Sequence, residues 1–291
     1  MSTTTRVRAV AVDGQVLRTA VRPGRKRGAP LLLINGIGAS LELLAPFVEK
    51  LHPSIEVISF DVPGVGGSPL PPGPYRFTGL SRLIAGLLTE LGHEQADVLG
   101  ISWGGAAAQH FAAVQRSRCR RLVLVSTATG MIMVPAKPTV LAHMVTPRRY
   151  TDRGYLRQMA GELYGGSART DPASVVAAMN AHNRVGSPRG YLYQLYAGLG
   201  WTSVPYLPLL RQPTLIMSGD DDPIIPLANA RLMHGLIRGS RLHVFHGGHL
   251  GLVTEASQLA PVVSGFLTEP ASLPVSEGSA GHGSGRRLLR T

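Results

Sequence analysis

Hydrophobic and polar positions alternate at the start of the chain and then give way to short apolar runs. Between Arg6 and Thr19 the alternation is interrupted by Asp13-Gly14, a pair typical of tight hairpin turns, and it predicts a β-hairpin. Leu31 to Ile34 has no polar face, which is typical of a strand buried on both sides of a parallel sheet. Beyond the hairpin we predict strands at 31–34, 56–60, 97–101, 122–126, 214–217 and 241–245.

Helical patterns separate several of these strands. Residues 41–51 and 77–92 have helical periodicity, the second with leucine and isoleucine on one stripe, whereas 104–114 is rich in alanine. This alternation predicts an α/β domain built on a mostly parallel sheet. Ligands of such domains bind beyond the carboxyl ends of the strands, so the residues that follow the strands are the candidates for chemistry.

Ser102 directly follows the strand 97–101 in the sequence LGISWGG, where Gly100, Ser102 and Gly104 match G-x-S-x-G. In a nucleophile elbow the strand turns so sharply into a helix that the serine side chain is exposed, and its neighbours must be small. Gly100, Gly104 and Gly105 meet this requirement. The same residues would also fit a serine that merely starts a helix, but that alternative predicts no acid and base downstream.

Carboxylates and histidines do follow other strands. The strand 214–217 runs into Ser218-Gly219-Asp220-Asp221-Asp222, and 241–245 runs into His246-Gly247-Gly248-His249. Serine, aspartate and histidine thus occur in the chain order of the α/β-hydrolase fold, which favours nucleophilic catalysis. Asp222 fits the turn pattern G-x-x-D-x-x-x-P and is the predicted acid, while Asp220 and Asp221 cap the turn or face water. His249 is the predicted base, with His246 in reserve.

The remaining candidates for chemistry are few. The other histidines have no partner that the sequence identifies, and their scatter argues against a metal site. Cys119 has no base nearby, so we expect a structural role for it. We predict neither a cofactor nor a metal.

Composition adds a strong positive charge to this picture. The chain has 291 residues, 44% of them hydrophobic and 16% charged, and a formal net charge of +12. Its arginines cluster at 22–27, 116–121, 148–149 and 286–290 without interleaved aromatic residues. We therefore favour a solvated surface over nucleic-acid binding, with adsorption to an anionic or lipid-coated surface as the alternative. The sequence has no long apolar segment and no secretory signal, which predicts a cytoplasmic protein without a membrane span.

Residues 130–205 are too many for a loop and have helical patches between several prolines, so we predict a largely helical cap over the site. The core is then divided into 1–129 and 206–268. After Phe266 the chain is rich in Ser, Gly and Pro, and we expect 269–291 to be disordered. Five methionines of the cap could line the substrate cleft or only pack the cap helices together: Met131, Met133, Met144, Met159 and Met179. Four aromatic residues could likewise line the cleft or only anchor the cap: Tyr191, Tyr193, Tyr196 and Trp201.

Several motifs beyond the three candidate residues give the sequence a resemblance to a known family. They are NGIGA at 35–39, FDVPGVGGS at 60–68, GISWGG at 100–105, AGLGWTS at 197–203 and GDDDP at 219–223. Together they resemble the intracellular poly(3-hydroxyalkanoate) depolymerases of the medium-chain-length type, which are α/β-hydrolases. The resemblance implies Ser102 as nucleophile, Asp222 as acid and His249 as base.

A serine nucleophile also needs two backbone donors for the oxyanion. We predict the amide of Trp103, directly after the nucleophile, and the amide of Ile37, in the loop after the strand 31–34. Many relatives of the fold have His-Gly where this chain has Asn35-Gly36, and we expect the Asn35 side chain to hold the turn.

The predicted function is hydrolysis of medium-chain-length poly(3-hydroxyalkanoate) inside the cell, through an acyl-enzyme and at the surface of the storage granule. Two alternatives stay open at this point: a hydrolase of small esters or of carbon-carbon bonds in ring-cleavage products, and a non-catalytic granule-surface protein. Polyester synthesis is disfavoured because the related polymerases have cysteine at the nucleophile position, where this chain has Ser102.

Overall fold

A computed structural model describes residues 4–25, 28–145, 147–184 and 186–270 of the chain. Within these residues eight strands form one sheet in the order β1-β2-β4-β3-β5-β6-β7-β8. The first two strands pair antiparallel and β2 joins β4 antiparallel, whereas β3 to β8 are all parallel. The strands are β1 Arg6–Val12, β2 Gln15–Arg22, β3 Leu31–Ile34, β4 Val57–Phe60, β5 Ala96–Ile101, β6 Cys119–Val125, β7 Thr214–Gly219 and β8 Arg241–Phe245.

Helices cover both faces of this sheet. Short 3-10 helices lie at Leu41–Leu44, Arg116–Arg118 and Leu207–Leu209. The α-helices of the described residues are α1 Ala45–Lys50, α2 Phe77–Glu90, α3 Trp103–Val114, α4 Pro138–Met144, α5 Arg148–Thr151, α6 Arg153–Tyr164, α7 Ser167–Thr170, α8 Pro172–His182, α9 Pro188–Gly198, α10 Ala228–Leu236, α11 Gly251–Thr254 and α12 Ala256–Thr268.

The core consists of one apolar layer on each side of the sheet. Side chains of a strand alternate between its two faces, so Leu32 and Ile34 of β3 pack in the layer with α2 and α3, and Leu31 and Leu33 pack in the layer with α1 and α12. Every residue of β3 is buried, which explains why its sequence has no polar face.

Helices α4 to α9 lie between β6 and β7, in a segment that we call the inserted segment (residues 126–213). An antiparallel bridge between Gly130 and Thr202 joins its two ends. Apolar residues of the segment, including Leu163 and Met179, form one cluster with Leu43 and Leu250 of the core. The inserted helices are therefore packed onto the carboxyl ends of the strands, while the cap boundaries at 130 and 205 stay a prediction.

The predicted hairpin, strands and principal helices are confirmed, with small differences at their ends. The helix predicted from residue 41 begins as a 3-10 turn, and the strand predicted from Leu122 already begins at Cys119. Residues 271–291, most of the tail for which disorder is expected, lie outside the described residues. Among the described residues, no helix combines the length and the apolar character that crossing a membrane requires.

The expectation of solvated arginine clusters is wrong for three arginines, Arg22, Arg121 and Arg149, which are buried. The Arg22 guanidinium donates to carbonyl oxygens around the end of α1, including Ile55 at 2.8 Å. Arg121 donates to carbonyls at the carboxyl end of α12, including Phe266 at 3.0 Å. These two arginines stabilise helix ends, where carbonyl groups lack partners within the helix.

Candidate active site

Ser102 lies on a strained turn between β5 and α3. Its backbone angles are φ 54° and ψ −121°, a combination that side-chain-bearing residues rarely adopt and that costs about 1–3 kcal/mol. The end of the neighbouring strand β6 and the turn after it hold Ser102 there: its N–H donates to the Val125 carbonyl at 2.9 Å, and its carbonyl accepts from the Thr127 hydroxyl at 2.7 Å. The half-buried Ser102 side chain thus projects from a turn that the sheet constrains.

The small residues beside Ser102 are required by close backbone approach. A Cβ atom on Gly104 would lie 2.1 Å from the Ile34 carbonyl oxygen, and one on Gly100 would lie 2.2 Å from the Gly104 carbonyl oxygen. No larger residue fits at either position without moving backbone. The spacing of the G-x-S-x-G motif therefore has the steric cause that a nucleophile elbow requires.

His249 and Asp222 form a buried pair between the loops after β8 and β7. The Nδ1 atom of His249 lies 2.8 Å from Oδ2 and 3.1 Å from Oδ1 of Asp222, and the two side chains are 6% and 0% exposed. Oδ1 also accepts the N–H groups of Ile224 and Ile225 at 3.0 and 2.9 Å. An ionised carboxylate only accepts, so Nδ1 of His249 carries the proton and Nε2 is left as the basic nitrogen.

Ser102 and His249 line one cavity of about 30 Å³. Ile37 and Asn35 line the same cavity from the loop after β3, and the Asn35 amide donates to the Ser40 carbonyl across that turn at 2.7 Å. Trp103 is the first residue of α3, where an N–H group has no acceptor within the helix. The predicted nucleophile, base and both predicted oxyanion donors are thus gathered at one end of the sheet.

The other two aspartates and the reserve histidine lie apart from this cavity. Asp221 forms a bidentate ion pair with Arg169, at 2.6 and 2.8 Å, and hydrogen bonding to this guanidinium lowers the pKa of Asp221. Asp220 lies 3.0 Å from Nδ1 of His246, whose side chain is 98% exposed. The carboxylate raises the pKa of His246, and the imidazole lowers that of Asp220.

The inserted segment holds the acid and base loops together through a junction that the sequence did not reveal. The His249 N–H donates to the Tyr164 carbonyl at 2.8 Å, and the Gly166 N–H donates to Asp221 at 2.8 Å. Gly166 has a positive φ of 51°, and a Cβ atom there would lie 2.2 Å from the Gly248 nitrogen. The only local signal was the pair Gly165-Gly166 at the end of a helical pattern.

Gln194 of α9 is a second residue that sequence reasoning missed. It is fully buried, accepts the Gly38 N–H at its side-chain oxygen at 2.8 Å, and accepts the Trp103 indole N–H at its backbone carbonyl at 2.7 Å. It therefore links the loop of Ile37 to the start of α3. Nothing in its local sequence identifies this role, because its partners are distant in the chain.

The aromatic and sulfur-containing residues of the inserted segment have mixed positions. Met144 lines the cavity, whereas Met179 is buried between helices and Met131 is 69% exposed. Trp201 packs edge-on against Phe77 with ring centroids 5.0 Å apart, so it anchors the segment.

Cys119, the first residue of β6, is buried, and burial raises the pKa of its thiol, which agrees with a structural role.

Comparisons with known proteins agree with this fold. A family model for the alpha/beta hydrolase fold matches residues 29–256. The enol-lactonase structure from Burkholderia xenovorans LB400 superposes with a TM-score of 0.77 at 25% identity, covering 90% of this chain and all of that one. The chain therefore belongs to the α/β-hydrolase family.

Within that family the chain is similar to enzymes that act on different substrates. It is 51% identical to the poly(3-hydroxyalkanoate) depolymerase of Ectopseudomonas oleovorans, over 90% of this chain and 92% of that protein. It is 30% identical to the 2-hydroxymuconate semialdehyde hydrolase of Pseudomonas sp. strain CF600, over 86% and 90%. The predicted fold, the predicted resemblance to the depolymerases and the prediction of a hydrolase are confirmed.

Proposed function

We propose that this hydrolase cleaves the ester bonds of medium-chain-length poly(3-hydroxyalkanoate) with Ser102 as nucleophile, His249 as base and Asp222 as acid. The observation that carries the proposal is the shared cavity of Ser102 and His249, together with the buried hydrogen bond from His249 to Asp222. The 51% identity to a poly(3-hydroxyalkanoate) depolymerase supports the polyester substrate.

The chemistry begins when Nε2 of His249 takes the proton of the Ser102 hydroxyl as its oxygen attacks the ester carbonyl. Asp222 keeps the proton on Nδ1 and stabilises the imidazolium that forms. The imidazolium then protonates the departing 3-hydroxyl oxygen, leaving an acyl-enzyme. Water, activated by the same histidine, hydrolyses this intermediate and releases the acid.

The tetrahedral intermediates place a negative charge on the former carbonyl oxygen. We assign the backbone N–H groups of Ile37 and Trp103 as its donors, because one lies in the loop after β3 and the other starts the helix behind Ser102. Gln194 would position both elements through its hydrogen bonds to Gly38 and to the Trp103 indole.

An apolar acyl side chain suits the cavity lining, which includes Leu43, Leu44, Met144, Ile224, Leu250 and Val253. The cavity volume of about 30 Å³ is far below the volume of a typical ligand pocket, which is at least about 300 Å³. A polymer segment must therefore displace side chains or helices of the inserted segment in order to bind. The proposed place of action is the surface of polyester granules in the cytoplasm.

The test measures acid release from suspended medium-chain polyhydroxyalkanoate granules, from poly(3-hydroxybutyrate) granules and from soluble p-nitrophenyl octanoate. The unmodified protein is compared with Ser102→Ala, and Ser117→Ala, at an exposed serine far from the site, is the matched control. We expect release from medium-chain granules that Ser102→Ala abolishes and Ser117→Ala retains.

Two other results would overturn the proposal in different ways. If the protein cleaves the soluble ester but neither polymer, Ser102 remains the assigned nucleophile but the polyester is not the substrate. That result would favour a hydrolase of small esters. If no substrate is cleaved and a fluorophosphonate reagent does not label Ser102, the chain is a non-catalytic surface protein.

A further inference from the structure

One of the residues that line the cavity of Ser102 and His249 is an arginine, Arg149. Arg149 is 2% exposed, although it belongs to the short helix α5 of the inserted segment. Among the described residues that line the cavity, none is acidic and most are apolar. A cationic side chain in this mostly apolar lining makes a positive contribution to the local potential, which favours an anionic ligand.

The neighbouring arginine shows that burial is not a property of α5 as a whole. Arg148 is exposed, pairs with Asp152 at 3.1 Å and lies over the Tyr155 ring at 4.4 Å. Arg149 instead turns inward, with its guanidinium 5.5 Å from the centre of the Tyr191 ring. Tyr191 is itself fixed by a hydrogen bond from its hydroxyl to the Met144 carbonyl at 2.6 Å.

A guanidinium is planar because its charge is delocalised, and its paired N–H groups suit bidentate binding of a carboxylate, while the Tyr191 ring beside it restricts its orientation. The proposed substrate supplies such a group in one place only. Each polyester chain ends in a free carboxylate, and its carboxyl carbon lies three bonds from the ester oxygen of the terminal unit. A carboxylate bound at Arg149 would therefore bring that terminal ester into the cavity with Ser102.

We propose that Arg149 binds the terminal carboxylate of the substrate and so directs cleavage to the last ester bond of the chain. This inference rests on the proposed function. The Ser102 oxygen bonds to the carbonyl carbon of the penultimate unit and the ester C–O bond breaks. The leaving oxygen takes its proton from His249, which gives a 3-hydroxy acid whose carboxylate is still bound to Arg149, and this acid then dissociates. Water then hydrolyses the shortened acyl chain from Ser102.

The test uses the linear dimer of 3-hydroxyoctanoic acid, which has one internal ester and one free carboxylate, and the methyl ester of the same dimer. Cleavage of the internal ester is followed by chromatography, and the ratio of kcat/KM for the acid to that for the methyl ester is the readout. We expect a ratio well above one for the unmodified protein and a loss of about 10- to 100-fold in this ratio for Arg149→Gln. Arg149→Lys should give an intermediate ratio, and Arg148→Gln, the matched control, an unaltered one.

The ratio is measured within one preparation, so partial loss of folded protein cancels from it. An Arg149→Gln ratio equal to that of the unmodified protein would overturn the assignment, as would an equal fall in Arg148→Gln. Failure of the proposed function gives a different result: the unmodified protein would cleave p-nitrophenyl octanoate but neither form of the dimer.

Discussion

Two histidine–aspartate pairs join the same two loops, yet they differ in nearly everything except their hydrogen bond. Nδ1 of His246 lies 3.0 Å from Asp220, and Nδ1 of His249 lies 2.8 Å from Asp222. The side chains of the first pair are 98% and 41% exposed, whereas those of the second are 6% and 0% exposed. A short distance between imidazole and carboxylate is therefore common to both pairs and does not identify the base.

The surroundings distinguish the two pairs. Two backbone N–H groups stabilise the Asp222 carboxylate, and the Tyr164 carbonyl fixes the backbone of His249. Electrostatic interactions are stronger in a dry, preorganised site than in water, so the buried pair can orient an imidazole and stabilise its charge. Of the two histidines, His249 lines the cavity of Ser102 and His246 does not.

The largest predicted effect separates the two histidines directly. His249→Gln removes the proposed base, and we expect kcat on p-nitrophenyl octanoate to fall by at least about 10³-fold. His246→Gln, the matched control, should stay within about twofold because its imidazole faces solvent. Steady-state kinetics of both variants checks this, and a greater loss in His246→Gln would reverse the assignment of the base.

Exchange of a carboxylate for an amide tests the other half of each pair. Asp222→Asn presents His249 with an N–H donor as well as an acceptor, which permits the wrong imidazole tautomer, and we expect kcat to fall by about 10³- to 10⁴-fold. Asp220→Asn alters a solvent-exposed pair and should have little effect on kcat. Similar losses in both variants would show that the loop, not the buried pair, determines activity.

Gly166→Ala should disturb the buried pair without altering either of its side chains. The added Cβ would lie 2.2 Å from the Gly248 nitrogen, in the loop between the two histidines, and the backbone has a positive φ. We expect kcat to fall by about tenfold or more because the His249 loop must move, and Tm to fall by several degrees.

Gly198→Ala is the control for this substitution. Gly198 ends helix α9, and a Cβ there would have no atom within 4 Å. Its variant should keep both kcat and Tm close to those of the unmodified protein. Full activity in Gly166→Ala would mean that the junction at Tyr164 to Gly166 does not position His249.

These comparisons also indicate which parts of the molecule the sequence could predict. Strand ends, the small residues around Ser102 and the turn at Asp222 depend on local steric rules, so they are visible in short stretches. Gln194 and Arg149 contact residues that are distant in the chain, and a single glutamine or arginine in a helical segment has no local pattern. Burial of Arg149 likewise follows from how the inserted helices pack, which periodicity does not determine.

The smallest predicted effect concerns the exposed pair and its dependence on pH. Asp220 raises the pKa of His246, so the pair stabilises the fold below the ordinary histidine pKa of about 6.5 and the contribution is lost as pH rises through the raised value. His246 in turn lowers the pKa of Asp220, so the contribution is also lost as pH falls below about 4. We expect His246→Ala to lower Tm slightly at pH 5.5 and not at pH 9, and to have no effect at either pH in an Asp220→Asn background. A decrease in Tm that is the same at both pH values would show that the imidazole acts by packing, and the two pairs would then differ in kind as well as in burial.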